Sequence, residues 1–321
     1  MSLIRSLLGG LMCLFCSVGM AQGSFPEKPI RIMVVYPPGG GGDILARTLT
    51  KSLAQHSGQN IIVENRPGAG GMIGTTACKN AAPDGYTYCM VLSDVVSINP
   101  HIFKNMTYDA VNDLVPVASV ADVPVVFVTH KGIPSTNLKE FAQYTVEKKG
   151  EINWASWGIG TSAHLVMAHI NNELNADLVH IPYQGVPQIT TAMLNQEVAA
   201  SMILYGPLAQ HLENGSLKPL AVLSSKRHPR LPDVPTANEQ GLNFAPTVWY
   251  GLFAPIQTPM PIVERMNEIV NQAMAEPEVT QAFASQGLVP LPLSQKEFAS
   301  LVENDRNGWA PVAKSLNLAL D

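Results

Sequence analysis

Three glycine-rich turns stand out in the sequence, each between a predicted strand and a predicted helix. They cover residues 39–43, 68–71 and 158–162. Such a turn exposes backbone N–H groups at the positive end of a helix, which binds anions without any basic side chain. The turns are therefore predicted to be anion-binding sites. The alternative is that their glycines serve only the geometry of the turn.

Two nucleotide-binding motifs are similar to these turns but fit poorly. Residues 39–43 lack the Lys-Ser/Thr pair of a P-loop. Residues 68–74 imitate a dinucleotide fingerprint, with Asp94 ending a later strand, but Arg66 and Pro67 separate them from the strand before. No nucleotide cofactor is therefore predicted.

Catalytic constellations are mostly missing from the sequence. Ser162 and His164 lie close together at a predicted helix start, but no G-x-S-x-G motif surrounds the serine. There is no H-E-x-x-H motif, and His164 and His169 lie about 140° apart around a helix, a poor arrangement for sharing a metal ion. We interpret Ser162 and His164 as a helix-start pair and predict neither an enzyme nor a metal site. An exported Ser/His hydrolase remains the alternative.

The composition is that of a folded chain without a nucleic-acid partner. The 321 residues are 46% hydrophobic and 14% charged, with a net charge of −5. No basic run is long enough to follow a phosphate backbone. At this length a single core has usually stopped growing, so two domains are expected.

The N terminus has the features of a secretory signal peptide. A short start carrying Arg5 precedes an uncharged apolar run, and small residues at Gly19 and Ala21 suit cleavage after Ala21. The run of about 15 residues is too short for a membrane span. We therefore predict signal peptide 1–21 and a periplasmic protein. Export also removes access to nicotinamide cofactors, which further disfavours a dinucleotide site.

Cys78 and Cys89 are the cysteines left in the mature chain. In an oxidising compartment this pair is compatible with a disulfide bond or with two small buried thiols. We predict the disulfide, which would join a helix to the strand after it.

The elements that position the turns alternate between strands and helices. A continuous apolar strand at 29–36 precedes a helix predicted to start at Ile44 with Asp43 as its N-cap. A strand at 60–64, a helix through Ala82 and a strand at 86–92 come next, which predicts an α/β fold with a doubly wound sheet. Similar strand–turn–helix segments at 123–141 and 248–274 are interpreted as two crossings between domains.

The order of the motifs resembles the Bug family, the extracytoplasmic substrate-binding proteins of tripartite tricarboxylate transporters. The resemblance covers essentially the whole mature chain and rests on YPPGGGGD (36–43), VENRPGAGG (63–71), AAPDGYT (81–87), INP (98–100), WASWGIGTSAHL (154–165), IPYQG (181–185), LAVLSSKRHPRLPDVPT (220–236) and WYGLFAP (249–255). It implies a two-lobe periplasmic-binding-protein clamshell of the type II kind, with two crossing strands. Lobe 1 is expected to comprise 25–124 plus 252–321, and lobe 2 to comprise 125–251.

The resemblance also implies where a ligand binds and how a partner detects the bound form. In this family an organic carboxylate lies between a turn of each lobe, here residues 39–43 and 156–162, and closure of the lobes is the change that membrane transporter subunits can detect. Asp43 is expected either to cap its helix or to face the ligand. The expected ligand-binding residues are Gly39, Gly40, Asp43, Asp94, Ser156, Gly160, Thr161, Ser162, Tyr183, Gln184 and Tyr205.

One departure from the family pattern bears on the ligand. Where relatives have an acidic and a polar residue, this chain has Ile203 and Leu204, and Trp157 replaces a small residue. An apolar wall favours a carboxylate with an apolar or aromatic remainder over a polycarboxylate. The expected protein is a monomer that delivers its ligand to a transporter, with delivery to a signalling receptor as the alternative.

Overall fold

The structure is a computed structural model that describes residues 25–224, 226–242, 248–315 and residue 320. The predicted signal peptide, with cleavage after Ala21, lies outside the described residues. Within the part that is described, no helix has the length and apolar character that crossing a bilayer demands.

The first stretch of the chain alternates strands with helices, as the sequence predicts. Its elements are β1 (Ile30–Val34), α1 (Gly41–Ser57), β2 (Ile61–Asn65), α2 (Met72–Lys79), β3 (Thr87–Leu92), a π-helical turn (Asp94–Ile98), α3 (Asn99–Ile102) and β4 (Leu114–Asp122). Apart from Arg31, the β1 side chains are buried. A central parallel strand covered by helices on both faces has this pattern.

A second set of elements comes next, and the chain then returns. The second set is β5 (Val125–His130), α4 (Leu138–Glu147), β6 (Ile152–Ser156), α5 (Ser162–Leu174), β7 (Leu178–Pro182), α6 (Val186–Leu194), β8 (Ala200–Leu204), α7 (Tyr205–Glu213) and β9 (Leu217–Val222). The returning segment is β10 (Trp249–Pro255), α8 (Met260–Ala275), α9 (Pro277–Ser285), β11 (Val289–Pro290) and α10 (Gln295–Ser315).

These elements build two separate sheets. The first has the order β11-β4-β10-β3-β1-β2, and the second has the order β7-β6-β8-β5-β9. In the first sheet β1 is parallel to β2 and β3, while β10 is antiparallel to β3 and β4. The strands before residue 123 and after residue 248 belong to the first sheet, and those between belong to the second.

The chain crosses between the sheets at two adjacent places. The first crossing joins β4 to β5 at residues 123–124, and the second precedes Trp249, because all of β10 pairs within the first sheet. The expectation from sequence placed this second crossing between residues 251 and 252. The Val123 N–H donates to the Val248 carbonyl at 2.8 Å, so the two crossings are joined by a hydrogen bond.

Two glycines lie where the two parts of the chain touch. A Cβ atom on Gly160 would come within 2.5 Å of the Ile102 side chain and 2.9 Å of the Leu320 side chain. Gly206, near the start of α7, lies directly against the backbone of Gln286 and Gly287. Both contacts depend on the missing side chain, so they fix how closely the parts approach.

Cys78 in α2 and Cys89 in β3 form a disulfide bond, with Cα atoms 5.9 Å apart. Both residues are fully buried. The predicted pairing is confirmed, and it ties the helix to the neighbouring strand.

Replacing both cysteines with alanine is expected to lower the free energy of unfolding by roughly 3 kcal/mol, because the bond closes a loop of about a dozen residues in the unfolded chain. Urea unfolding with and without reductant measures this. Reductant should destabilise the wild-type chain by a similar amount and leave the double variant unchanged. Equal stability of the oxidised wild type and the variant would contradict the prediction.

Candidate functional site

The N terminus of α1 is not capped by any side chain. Gly40 is its N-cap residue, in an extended conformation with φ −76° and ψ 165°. Gly41 and Gly42 come next, and the N–H groups of the first helical residues have no acceptor within the helix. Together with the positive end of the helix dipole, they form a site that can receive a carboxylate.

Asp43 does not cap this helix, because α1 begins at Gly41 and not at the predicted Ile44. Its carboxylate instead accepts hydrogen bonds from the Gly39 N–H, from Arg47 Nε and from Asn65 Nδ2, each at 2.9 Å. Burial acts to raise the pKa of Asp43, but the hydrogen bonds from Arg47, Gly39 and Asn65 outweigh it and lower the pKa. Asp43 is therefore ionised and braces the turn.

Removing this brace by Asp43→Ala is expected to cost about 2 to 3 kcal/mol of unfolding free energy, because charge-assisted hydrogen bonds are lost and their donors lose their partner. Urea unfolding at neutral pH measures the loss. Glu278→Ala is the control, since Glu278 forms only an exposed ion pair with Lys51 and should change stability by less than about 1 kcal/mol. Equal losses in both variants would contradict the role given to Asp43.

Two tyrosines that were not among the predicted ligand-binding residues form a floor beneath the turn. The rings of Tyr36 and Tyr250 meet edge to face with centroids 6.3 Å apart. A Cβ on Gly41 would lie 2.9 Å from the Tyr250 hydroxyl oxygen, and one on Gly42 would lie 3.0 Å from the Tyr36 ring. The glycines are required because the helix start packs directly on these rings. In the sequence, both tyrosines lie within motifs that carry the family resemblance, YPPGGGGD and WYGLFAP.

In the turn at residues 156–162, polar groups are hydrogen-bonded to one another. Thr161 Oγ1 donates to the Gly158 carbonyl at 2.7 Å, and the Gly160 N–H donates to His164 Nδ1 at 3.1 Å. Ser156 Oγ is 2.6 Å from His180 Nε2.

In the turn at residues 39–43, two N–H groups that were predicted to bind a ligand are already hydrogen-bonded within the protein. The Gly39 N–H is taken by Asp43, and the Gly40 N–H donates to the Pro37 carbonyl at 3.1 Å. The predicted contacts of a ligand carboxylate with the N–H groups of Gly39, Gly40 and Gly160 are therefore not available in this arrangement. The uncapped N–H groups are those of the next residues along.

The histidines of this region are stacked and neutral. The rings of His164 and His180 lie 3.8 Å apart and nearly parallel. Burial lowers the pKa of His164, and burial together with His164 lowers the pKa of His180 to about 4. Ser162 Oγ donates to Asp94 and His164 Nδ1 accepts from Gly160, so Ser162 and His164 do not form the hydrogen-bonded pair that a hydrolase would need. Among the described residues, no cluster of three His, Cys, Asp or Glu could hold a metal ion.

Asp94 joins the two lobes at the N terminus of α5. Its Oδ2 accepts the Ser162 N–H at 3.1 Å and the Ser162 hydroxyl at 3.2 Å. Asp94 follows β3 in the first sheet, whereas Ser162 starts a helix that packs on the second. The predicted binding residues Asp94 and Ser162 are thus brought together, but they bind each other.

The environment of Asp94 opposes its ionisation. Burial is the main cause and raises the pKa of its carboxyl to about 6, although Ser162 and the Trp157 side chain act to lower it and Asp305 acts to raise it. Asp94 is only 7% exposed, and its Oδ1 has no hydrogen-bond partner among the described residues.

The segment around Asp94 holds further unpaired polar atoms. The hydroxyls of Ser93 and Ser97 are buried, and neither has a hydrogen-bond partner among the described residues. All three side chains belong to or flank the π-helical turn Asp94–Ile98. π-Helical turns occur frequently at functional sites. The signal in the sequence was the appearance of Ser93, Asp94 and Ser97 directly after an apolar strand.

The turn at α1 and the Asp94 contact belong to one region. Burial raises the pKa of Tyr36 and of Tyr250, and the charge of Asp94 raises both further. Tyr250 also contacts Gly41, as described above. The N terminus of α1, the two tyrosines, Asp94 and the N terminus of α5 therefore surround one interlobe site.

Three other predicted residues lie close to the starts of α6 and α7. Tyr183 is half-buried and lines a surface cavity of about 390 Å³ beside α6, while Gln184 is exposed and donates its N–H to Gln188. Tyr205 is buried, with its ring centroid 4.0 Å from that of His228 and near Arg230. The Tyr183 N–H donates to the carbonyl of Ser156, another predicted site residue, at 2.8 Å.

The predicted apolar wall is present only in part. Ile203 belongs to β8 and is fully buried, because both faces of this strand are covered. Its side chain therefore does not face a ligand. Leu204 and Trp157 are half-buried and pack at the edge of the core. The expectation for Ile203 was wrong for this reason.

Comparisons with known proteins agree with this architecture. A profile of the family described as "Tripartite tricarboxylate transporter family receptor" matches residues 45–318. Protein BugT of Bordetella pertussis is 32% identical over 303 residues, which covers 94% of this chain and 93% of BugT.

Solved structures are similar over the same length. The periplasmic binding protein BugD superposes with a TM-score of 0.81 at 30% identity, covering 92% of this chain and all of that one. MatC from Rhodopseudomonas palustris with bound malate gives 0.80 at 30% identity, covering 90% of this chain and all of MatC. The resemblance seen in the motifs and the two-lobe periplasmic-binding-protein fold are thereby confirmed.

Proposed function

Because the chain belongs to the tripartite tricarboxylate transporter family of receptors, we propose that it binds a small organic carboxylate between its two lobes. The family consists of binding proteins. MatC, with its bound malate, supports a carboxylate as the class of ligand.

The observation that carries this proposal is the bare N terminus of α1. The N–H groups of Gly41 and Gly42 have no side-chain cap, and they lie over Tyr36 and Tyr250 next to the interlobe contact. A carboxylate bound there accepts these N–H groups and gains from the helix dipole. No basic side chain is required.

Lobe movement is the second part of the proposal. The described residues of 25–123 and 249–320 form one lobe and those of 124–248 the other, and the hydrogen-bonded crossings at Val123 and Val248 act as the hinge. Because the site takes groups from both lobes, a ligand is fully bound only when they close. The closed form is the one that a partner recognises.

The location and partners rest on the same premise. We propose that the chain is exported to the periplasm with its leader cleaved after Ala21, acts as a monomer, and delivers its ligand to integral membrane subunits of a transporter. Delivery of the closed form to a signalling receptor is the alternative, and deletion of the transporter genes would separate them. Uptake of the ligand should then stop, whereas a receptor-linked response should persist.

A thermal-shift screen of the purified mature chain against organic acids, sugars and amines tests the binding proposal. A carboxylate at about 100 times its Kd should add about 2.7 kcal/mol to the unfolding free energy. Stabilisation by members of another class, and by no acid, would refute it.

Gly41→Val tests the position of the carboxylate. The new side chain meets the Tyr250 hydroxyl and covers the N–H groups, so affinity should fall at least about tenfold, or 1.4 kcal/mol. Gly308→Ala is the control, since a Cβ there meets no atom within 4 Å. Unchanged affinity in Gly41→Val would place the carboxylate elsewhere.

A further inference from the structure

Asp94 already supplies an anion to the N terminus of α5. Its Oδ2 takes both the N–H and the hydroxyl of Ser162. A ligand carboxylate bound at the N terminus of α5 would lie next to the Asp94 carboxylate. Two negative charges this close repel each other strongly in a buried site. Of the two helix ends at the site, only that of α1 is open to a ligand carboxylate.

The other oxygen of Asp94 needs a hydrogen-bond donor. Oδ1 is buried, on a side chain 7% exposed, and no described residue donates to it. A buried acceptor left without a donor costs free energy, and one with a carboxylate charge costs more. The side chains that act on the Asp94 carboxyl are those of Ser162, Trp157, Asp305 of α10, Tyr36 and Tyr250, and Asp305 is the one charged group among them.

We propose that Asp94 determines ligand specificity by accepting a hydrogen bond through Oδ1 from a hydroxyl or ammonium group of a ligand whose single carboxylate binds at the N terminus of α1. This inference rests on the proposed function and narrows its substrate class to hydroxy or amino monocarboxylates. Ser93 and Ser97, whose buried hydroxyls have no partner among the described residues, are further neutral polar groups of the same segment.

The same geometry excludes a second carboxylate at this end of the site. A dicarboxylate would place its distal charge against Asp94, with no cation among the groups named above to compensate. An apolar end would leave Oδ1 unpaired. Asp94 is therefore expected to discriminate against both kinds of ligand, in contrast to the apolar remainder expected from Ile203 and Leu204.

Calorimetry with acids that share one carbon skeleton tests this directly. A suitable set is butanoate, 4-hydroxybutanoate, 4-aminobutanoate and succinate, with the corresponding sets one carbon shorter and longer to allow for the span of the site. In the wild type, a hydroxy or amino acid of at least one set should bind about tenfold or more tighter than both the unsubstituted acid and the diacid. In Asp94→Asn the preference over the diacid should fall to about threefold or less.

Asp122→Asn is the matched control, since it removes another half-buried carboxylate of the same lobe. Its selectivity should equal that of the wild type, so an equal change in both variants would reveal a general charge effect and overturn the role of Asp94. The wild-type preference stands as a test by itself if Asp94→Asn does not fold.

The outcomes separate the two proposals. If no acid of any chemistry binds the wild type, the proposed function fails and this inference falls with it. If acids bind but the diacid or the unsubstituted acid binds as tightly as the donor-bearing acid, only the inference is overturned. If Asp94→Asn binds every acid more tightly by one common factor, Asp94 only repels the ligand carboxylate and does not recognise a donor group, and the inference is overturned.

Discussion

Gly206→Ala is expected to lower the free energy of unfolding by about 2 to 3 kcal/mol or more, and to force the two lobes apart. A Cβ on Gly206 would overlap the carbonyl oxygen of Gln286 and would come within 3.2 Å of the Gly287 backbone nitrogen. The obstructing atoms are backbone, so no side chain can rotate away. Overpacking of this kind commonly costs about 1 to 3 kcal/mol, and here relief requires one lobe to move relative to the other.

Two measurements together test this expectation. Urea unfolding reports the loss of stability, and small-angle scattering reports a larger radius of gyration if the lobes separate. Ligand affinity should fall as well, since closure brings the two halves of the site together. Gly308→Ala is the control: it lies within α10 with open space around it, and alanine is preferred over glycine in helices by about 1 kcal/mol. A Gly206→Ala chain as stable and as compact as the wild type would refute the contact.

The alternation of elements was predictable because it depends on local patterns. The run at 29–36 contains β1, and the glycines after it mark a helix start, so the βαβαβ order is evident from sequence. The disulfide was predictable as one of two alternatives from cysteine number and compartment. Motif order supplied the two-lobe fold, which no periodicity could have provided.

The partners of individual side chains were not predictable in this way. Asp43 has the residue type of an N-cap, but Arg47 lies one turn along the helix and Asn65 arrives from the next strand, so the carboxylate turns back onto Gly39. Asp94 was expected at the site by resemblance alone. Its contact with Ser162 joins residues 68 positions apart, on different lobes, and no local rule specifies such a pairing.

Strand β8 shows why the ligand wall was misjudged. Strand alternation assigns Met202 and Ile203 to opposite faces of β8. The sequence alone does not show whether either face lines a cleft. In the structure both are fully buried, because core residues pack against both faces of β8. A position aligned along the chain therefore does not reveal whether a side chain faces the core or a ligand.

The change in unfolding free energy caused by Asp94→Asn is expected to be more favourable at neutral pH than in acid, by roughly 3 kcal/mol. The pKa of Asp94 is raised from 3.8 to about 6, chiefly by burial, and each pKa unit corresponds to about 1.4 kcal/mol. An acid whose folded pKa is raised binds its proton more tightly in the folded state. Its contribution to stability is therefore complete below the unfolded pKa and is lost as the pH rises through the folded pKa.

Urea unfolding of the wild type and of Asp94→Asn from about pH 4 to about pH 7.5 measures this contribution as the difference between the two free energies. That difference should move in favour of the variant between about pH 4 and pH 6.5 and then stay constant. Tyr36 and Tyr250 remain neutral throughout this range, since their pKa values are raised. Asp305 is the charged group that also acts on Asp94.

Asp43→Asn provides the opposite sign as a control. The pKa of Asp43 is lowered by its hydrogen bonds with Arg47, Gly39 and Asn65, against the effect of burial. Its stabilising contribution is present above the unfolded pKa and lost only as the pH falls through the folded value. The cost of Asp43→Asn should therefore be constant from about pH 5.5 upward and shrink in acid. A pH-independent difference for Asp94→Asn would mean that the Asp94 carboxyl has the same pKa in the folded and the unfolded chain. Asp94 would then not be the buried, partly unpaired carboxylate that its role in the site requires.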